Sequence, residues 1–216
     1  MTESAPKIKF CGITSVDDAR AAVSAGAWAI GMILWPGSPR ACSLDAAAAI
    51  GAAVKRKAEI VGVFVNPTLD EVAFAADAAG LTTIQLHGDE GPVFCGEVAR
   101  RTGCHLIKAA RVSGRADIQA VRAFKTDYHL LDSRVPGRYG GSGEAFDWEL
   151  VRSHRGRVPV ILSGGLTPEN VADAIEIARP FAVDVASGVE SSPGVKDHAK
   201  LASFAAGAHA PAGTPS

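Results

Sequence analysis

Short apolar runs alternate with longer amphipathic stretches along this chain. The runs at 7–12, 28–34, 59–65, 82–87, 105–111, 128–133, 158–163 and 181–186 predict β-strands. The stretches at 16–25, 44–56, 69–79, 92–102, 115–125, 147–154, 168–178 and 196–207 carry helical spacing. These make eight βα units with short connections and no helix-only block. That pattern predicts an α/β protein of one domain, a closed (β/α)8 TIM barrel rather than an open doubly wound sheet. The barrel is expected over 7–207, after a short extension at 1–6. The end, rich in Ala, Gly and Pro, has no periodicity, and 208–216 is expected to be a disordered tail.

Capping residues support these boundaries. Thr14 and Ser15 precede a helix with Asp17 and Asp18 in its first turn. Gly26, Gly80 and Gly103 fall where helices should stop, and Pro168 suits the first helical position. Two segments break the alternation. Trp35–Ser43 is rich in Pro and carries one cation, Arg40, while Arg134–Gly143 is long and rich in Gly. Long loops on the catalytic face of a barrel are usually functional.

Barrel strands alternate side chains between the interior and the helix layer. On that rule Lys9 and Cys11 face inward while Ile8 and Phe10 face the helices. Gln85 and His87 share one parity, Asp132 shares another with Tyr128 and Leu130, and Asp184 falls in line with Ala182 and Ala186. The polar groups lie at the C-terminal tips of the runs, and in a parallel barrel those tips form one mouth.

Composition narrows the partners. At 216 residues, 47% apolar and 21% charged, with a net charge of −1, the chain has no global pull towards nucleic acid or anionic membrane. No apolar run approaches the roughly 20 residues of a membrane span. The first residues lack the basic and apolar regions of a signal peptide, so a cytoplasmic protein is expected. Cys11, Cys42, Cys95 and Cys104 show no C-x-x-C and no zinc-type spacing with His. They are expected to be reduced, and no metal or cofactor is expected.

The turns after the seventh and eighth strands, Ser163-Gly164-Gly165 and Ser187-Gly188, stand where barrels bind phosphate with backbone N–H groups. Gly143, in Gly140-Gly-Ser-Gly143, could lay a third flap over the same anion. No G-x-x-x-x-G-K-[ST] occurs, which argues against a nucleoside triphosphate. A small-molecule phosphosugar is the implied partner, with a monomer or homodimer left open.

Cys11 and Asp132 sit at two strand tips and could move protons to and from one sugar, a thiolate as base and a carboxylic acid as donor. A neighbouring thiolate and an anionic substrate would both favour the protonated form of Asp132. Arg40 could bind a carboxylate bidentately. A strand Cys is often only a small core residue, a strand-end Asp only a cap, and a loop Arg only a solvated charge. His87 is read as a hydrogen-bonded structural residue and Asp184 as a loop anchor. Lys108, Arg111 and Arg138 add to the field of the mouth, and Cys42, Cys95 and Cys104 carry no assigned chemistry.

Seven short motifs in order resemble the phosphoribosylanthranilate isomerase family of tryptophan biosynthesis. They are Lys9-Phe-Cys-Gly-Ile-Thr14, Ser38-Pro-Arg40, Gln85-Leu-His-Gly-Asp-Glu90, Leu131-Asp-Ser133, Gly141-Ser-Gly143 through Phe146-Asp-Trp148, Leu162 through Asn170, and Asp184-Val-Ala-Ser-Gly-Val-Glu190. The resemblance implies a cofactor-free Amadori rearrangement of N-(5-phosphoribosyl)anthranilate. It makes Cys11 the general base and Asp132 the general acid. It gives Arg40 the anthranilate carboxylate, and Gly164, Gly165, Ser187 and Gly188 the phosphate. Phe10 and Ala186 depart from the family's frequent choices, and neither touches the acid or the base. The rivals are another phosphosugar barrel, such as a ring-closing synthase or a metal-dependent epimerase, and a non-catalytic phosphosugar-binding barrel. The synthase would want a catalytic Lys with paired Glu, and the epimerase His and Asp ligands, of which only His87 is placed.

Overall fold

A computed structural model describes residues 5–133, 148–154 and 156–210. Eight strands form a closed parallel barrel in chain order. They are β1 (Lys7–Cys11), β2 (Ala29–Ile33), β3 (Glu59–Phe64), β4 (Thr83–Leu86), β5 (His105–Val112), β6 (Tyr128–Ser133), β7 (Val160–Ser163) and β8 (Ala182–Val185). β1 closes the ring on β8, with Lys9 beside Asp184. The helices are α1 (Val16–Ser24), α2 (Leu44–Val54), α3 (Leu69–Ala79), α4 (Pro92–Thr102), α5 (Arg115–Val121), α6 (Val171–Ala178) and α7 (His198–Ala208).

The caps follow the local chemistry. Ser15 accepts from the Asp18 N–H at the start of α1, and Thr68 with Glu71 forms a reciprocal capping box on α3. Gly80 and Gly103 close α3 and α4 in the left-handed conformation, at φ of 59° and 67°.

Two cores result from strand parity. Ile8, Phe10, Ile30, Ile84 and Leu131 pack outward against the helices, with Phe10 edge-on to Phe204 of α7 at 6.0 Å. Cys11, Ala29, Val61, Ile107, Leu130, Ile161 and Ala182 fill the barrel interior. Trp28, Tyr128 and Phe181 pack as one cluster at the N-terminal end of the strands, with ring centroids 5.3–5.5 Å apart. The Lys7 ammonium stands 5.0 Å from the Phe181 ring centroid.

Three expectations need correction. The helix expected at 147–154 is a 3-10 segment over Trp148–Ser153. Its apolar Trp148 and Val151 are three residues apart, the repeat of that tighter helix. Pro168 does not open α6. The Asn170 side chain accepts from the Thr167 N–H at 2.8 Å and donates to the Gly165 carbonyl at 2.9 Å. That closes a turn through Pro168, and the helix begins at Val171. Before α7 the chain forms an antiparallel hairpin, β9 (Glu190–Ser192) and β10 (Val195–Lys196), turning through Gly194 at φ 82°. The helix expected from residue 196 therefore starts at His198, capped by Asp197. In the expected tail, Ala208 ends α7 and His209 caps it, while 211–216 lie outside the described residues.

Candidate active site

The polar inward positions converge at the C-terminal ends of the strands, where a cavity of about 450 Å³ opens. Cys11, Arg40, His87, Asp132, Gly164, Gly165 and Ser187 all line it. Gly188 sits behind the wall. A side chain there would start 3.0 Å from the Leu166 carbonyl carbon and collide with its oxygen, so the two turns pack backbone against backbone. Gly164 and Gly165 take φ of 94° and 66°, values that a side chain rarely tolerates. Gly143, Arg138 and the rest of the expected flap lie outside the described residues.

Cys11 ends β1, 6% exposed. Burial pushes its thiol up. Lys9 pulls it down, Asp184 opposes Lys9, Lys196 adds a smaller downward pull, and burial prevails. Lys9 is fully buried two residues before it, and its Nζ meets Asp184 Oδ1 at 2.7 Å. The other Asp184 oxygen accepts from the Ser163 hydroxyl at 3.0 Å. Burial alone would lower Lys9, but the Asp184 carboxylate and Cys11 more than offset it and hold its pKa raised.

Asp132 lies near the end of β6, separated from β1 by β7 and β8. Its Oδ2 is 3.3 Å from His87 Nε2, out of line for a hydrogen bond. His87 Nδ1 pairs with Gln85 Nε2 at 2.9 Å, so with Gln85 donating, the His87 proton sits on Nε2, towards Asp132.

Arg40 does not stand alone in its loop. Glu190, at the start of β9, accepts from Arg40 Nε at 2.9 Å and pairs with Nη2 at 2.9 Å. The same carboxylate takes the Lys196 ammonium at 2.9 Å, and Lys196 also donates to the Ala186 carbonyl at 3.0 Å. Burial pushes Lys196 down, against the pull of Glu190. Lys108, expected to add to the field, is instead committed to Glu90 at 2.6 Å and the Gly88 carbonyl at 2.8 Å. Arg111 lies 3.9 Å from Asp89. Among the described residues no group of three or more His, Cys, Asp or Glu is placed to hold a metal ion.

The family profile of N-(5'phosphoribosyl)anthranilate (PRA) isomerase matches residues 8–206. The chain belongs to this family. It is 45% identical over 200 residues to the N-(5'-phosphoribosyl)anthranilate isomerase of Geobacter sp. (strain M21), covering 93% of this chain and 96% of that one. It is 47% identical over 205 residues to that of Pseudomonas fluorescens (strain Pf0-1), covering 93% and 97%. The crystal structure of phosphoribosyl anthranilate isomerase from Thermotoga maritima superposes with a TM-score of 0.86 at 39% identity, covering 94% of this chain and 98% of that one. A solved isomerase in complex with reduced 1-(o-carboxyphenylamino)-1-deoxyribulose 5-phosphate matches with a TM-score of 0.83 at 38% identity, over 94% and 98%.

Lys9, Glu190 and Lys196 are charged groups at the site to which the sequence alone assigns no role. Lys9 carried a signal, since a Lys with inward parity in a barrel strand must be paired. Glu190 ended a quoted motif. Lys196 carried none, because β10 is too short to show a pattern.

Proposed function

We infer that this chain acts as the isomerase of its family. It converts N-(5'-phosphoribosyl)anthranilate to 1-(2-carboxyphenylamino)-1-deoxyribulose 5-phosphate, an Amadori rearrangement of tryptophan biosynthesis. The reading of its residues rests on one observation. A single cavity gathers a thiol, a carboxyl, a guanidinium and two glycine turns at the C-terminal mouth of the barrel.

Asp132, as the acid, protonates the ribose ring oxygen. The C1′–O bond breaks and the anthranilate nitrogen lone pair forms a protonated Schiff base. The iminium acidifies the C2′ proton, and Cys11 removes it as a thiolate. The resulting enolamine is protonated at C1′ and loses its O2′ proton, giving the ketone. The substrate supplies its own electron sink. The side-on face of Arg40 is held by Glu190, so the substrate carboxylate takes the end-on face, Nη1 with the second N–H of Nη2. Gly164, Gly165 and Ser187 offer backbone N–H groups to the phosphate, with Gly188 keeping the two turns close. We read the enzyme as cytoplasmic, and as a monomer or homodimer; one solved structure is of generated monomers of the dimeric isomerase from Thermotoga maritima. No helix among the described residues is long and apolar enough to cross a membrane.

The test is turnover of freshly generated phosphoribosylanthranilate, followed as loss of fluorescence against non-enzymatic breakdown, with and without EDTA. Rapid loss yielding the ribulose product, indifferent to EDTA, is expected. Cys11→Ser and Asp132→Asn should each cut turnover at least about a hundredfold with the melting transition retained. Near-normal turnover in either variant would remove that residue from the chemistry.

A further inference from the structure

We propose that Lys9 is the charge partner of the Cys11 thiolate, and that Asp184 sets how much of that charge the sulfur feels. The proposal rests on the reading of Cys11 as the base and concerns how a buried thiol becomes one.

Lys9 and Cys11 share the inward face of β1, two residues apart. Across the sheet, β2 presents Gly31 beside Cys11. A side chain at Gly31 would begin 2.9 Å from Cys11 Sγ and 3.2 Å from Lys9 Nζ. Sulfur and ammonium therefore flank one small space and lie no more than about 6 Å apart. Gly31 keeps that space clear: any Cβ would press on both groups at once. On the other flank, Asp184 binds the ammonium at 2.7 Å and is itself steadied by Ser163. A buried ion pair is a poor stabiliser compared with apolar residues of equal size. A pair set beside the reactive sulfur, with room for both preserved by Gly31, reads as electrostatic equipment.

The other charged groups around Cys11 do not supply this partner as directly. Lys196, on β10, shares the Glu190 carboxylate with Arg40 from the loop after β2. Asp132 and His87 face each other near the ends of β6 and β4. Lys9 is the charge whose ammonium abuts the same point as the sulfur. At an effective dielectric of about 20, a unit charge about 6 Å away displaces a titration by roughly two pH units. Asp184, bound to that ammonium, cancels part of this.

The two members of the pair should then move Cys11 in opposite directions. A purely structural pair would not do so: losing either half would disturb the site in the same sense. The experiment is the pH dependence of iodoacetamide alkylation of the full chain without substrate, read at the Cys11 peptide by mass spectrometry. Lys9→Met should raise the alkylation midpoint by about two pH units, and Asp184→Asn should lower it. The double variant Lys9→Met/Asp184→Asn buries no unpaired charge, which guards against loss of the fold. It should shift upward by less than Lys9→Met alone. Unmoved midpoints, or shifts of the same sign in the single variants, would overturn the proposal, as would a double variant titrating like the parent. In the same proteins the acidic limb of kcat/KM should track the alkylation midpoint. Opposite alkylation shifts with a stationary limb would uphold the Lys9 pairing and sink Cys11 as the base.

Discussion

Gly188→Ala tests whether the two glycine turns work as one anion-binding notch. Gly188 lies in the short 3-10 turn Ser187–Val189, and its φ is not among the left-handed values, so an alanine meets no backbone strain of its own. The obstacle is contact. The added methyl would collide with the Leu166 carbonyl oxygen and stand 3.0 Å and 3.2 Å from the Leu166 carbonyl carbon and Thr167 Cα. These are backbone atoms and cannot rotate away, so the turns must separate by roughly 1 Å to regain van der Waals contact. Over-packing of this kind costs about 1–3 kcal/mol of stability.

The functional cost follows from hydrogen-bond geometry. A phosphate held from both turns loses good alignment on one of them. One charge-assisted bond contributes about 1.5–3 kcal/mol, so substrate KM should rise roughly ten- to a hundredfold. Phosphate binding is made equally in ground and transition states, so kcat should stay within a few-fold. The assay is steady-state turnover of phosphoribosylanthranilate with inorganic phosphate as competitor, and the inhibition constant for phosphate should rise in step with KM. A folded variant with KM and phosphate inhibition within about twofold of the parent would refute the notch.

Glu190→Gln leaves Arg40 and Lys196 without the carboxylate that joins them; breaking such a buried pair should cost about 3 kcal/mol in urea unfolding and raise KM through a loosened Arg40. An unchanged urea midpoint would mean the cluster is not held by charge. His129 and His154 predict an acid sensitivity: their rings pair at 2.8 Å, and burial pushes both pKa values below the ordinary imidazole range. The unfolded chain therefore takes up protons that the folded one refuses, so their contribution is complete above about pH 6.5 and is lost as pH falls towards the depressed folded-state values. His154→Gln should flatten the fall in the urea midpoint between about pH 7 and pH 5, and an unaltered slope would assign that fall to other groups.

The barrel was legible because its strands are short, consecutive and joined in order. Parity then placed Cys11, Gln85, Asp132 and Asp184 without any pairing information, because one inward-facing neighbour on each strand sufficed. What parity cannot supply is the partner of a buried charge. Lys9 reads as a cation in a strand, and its carboxylate lies 175 positions away. Arg40 reads as a lone loop cation, and its clamp lies 150 positions away. Such pairs form only when β8 closes on β1 and when a hairpin too short for periodicity folds against the loop that carries Arg40. The Pro168 error has a different source. A side-chain bond from Asn170 outcompeted the helix-start preference of proline, a local contest in which both outcomes are chemically sound.

The same inward parity that carries the chemistry also closes the floor beneath it. Trp28, Tyr128 and Phe181 pack together at the N-terminal ends of the strands, and Ala29, Val61, Ile107, Leu130 and Ile161 fill the layers above them. Water then reaches Lys9 and Asp184 chiefly from the mouth, and these residues are 0% and 5% exposed. A substrate seated in the mouth would displace that water and lower the effective dielectric around the pair, strengthening both the pull of Lys9 on Cys11 and the burial that opposes it. The apolar floor thus closes the fold and sets the dielectric in which Lys9 and burial act in opposite senses on the Cys11 thiol.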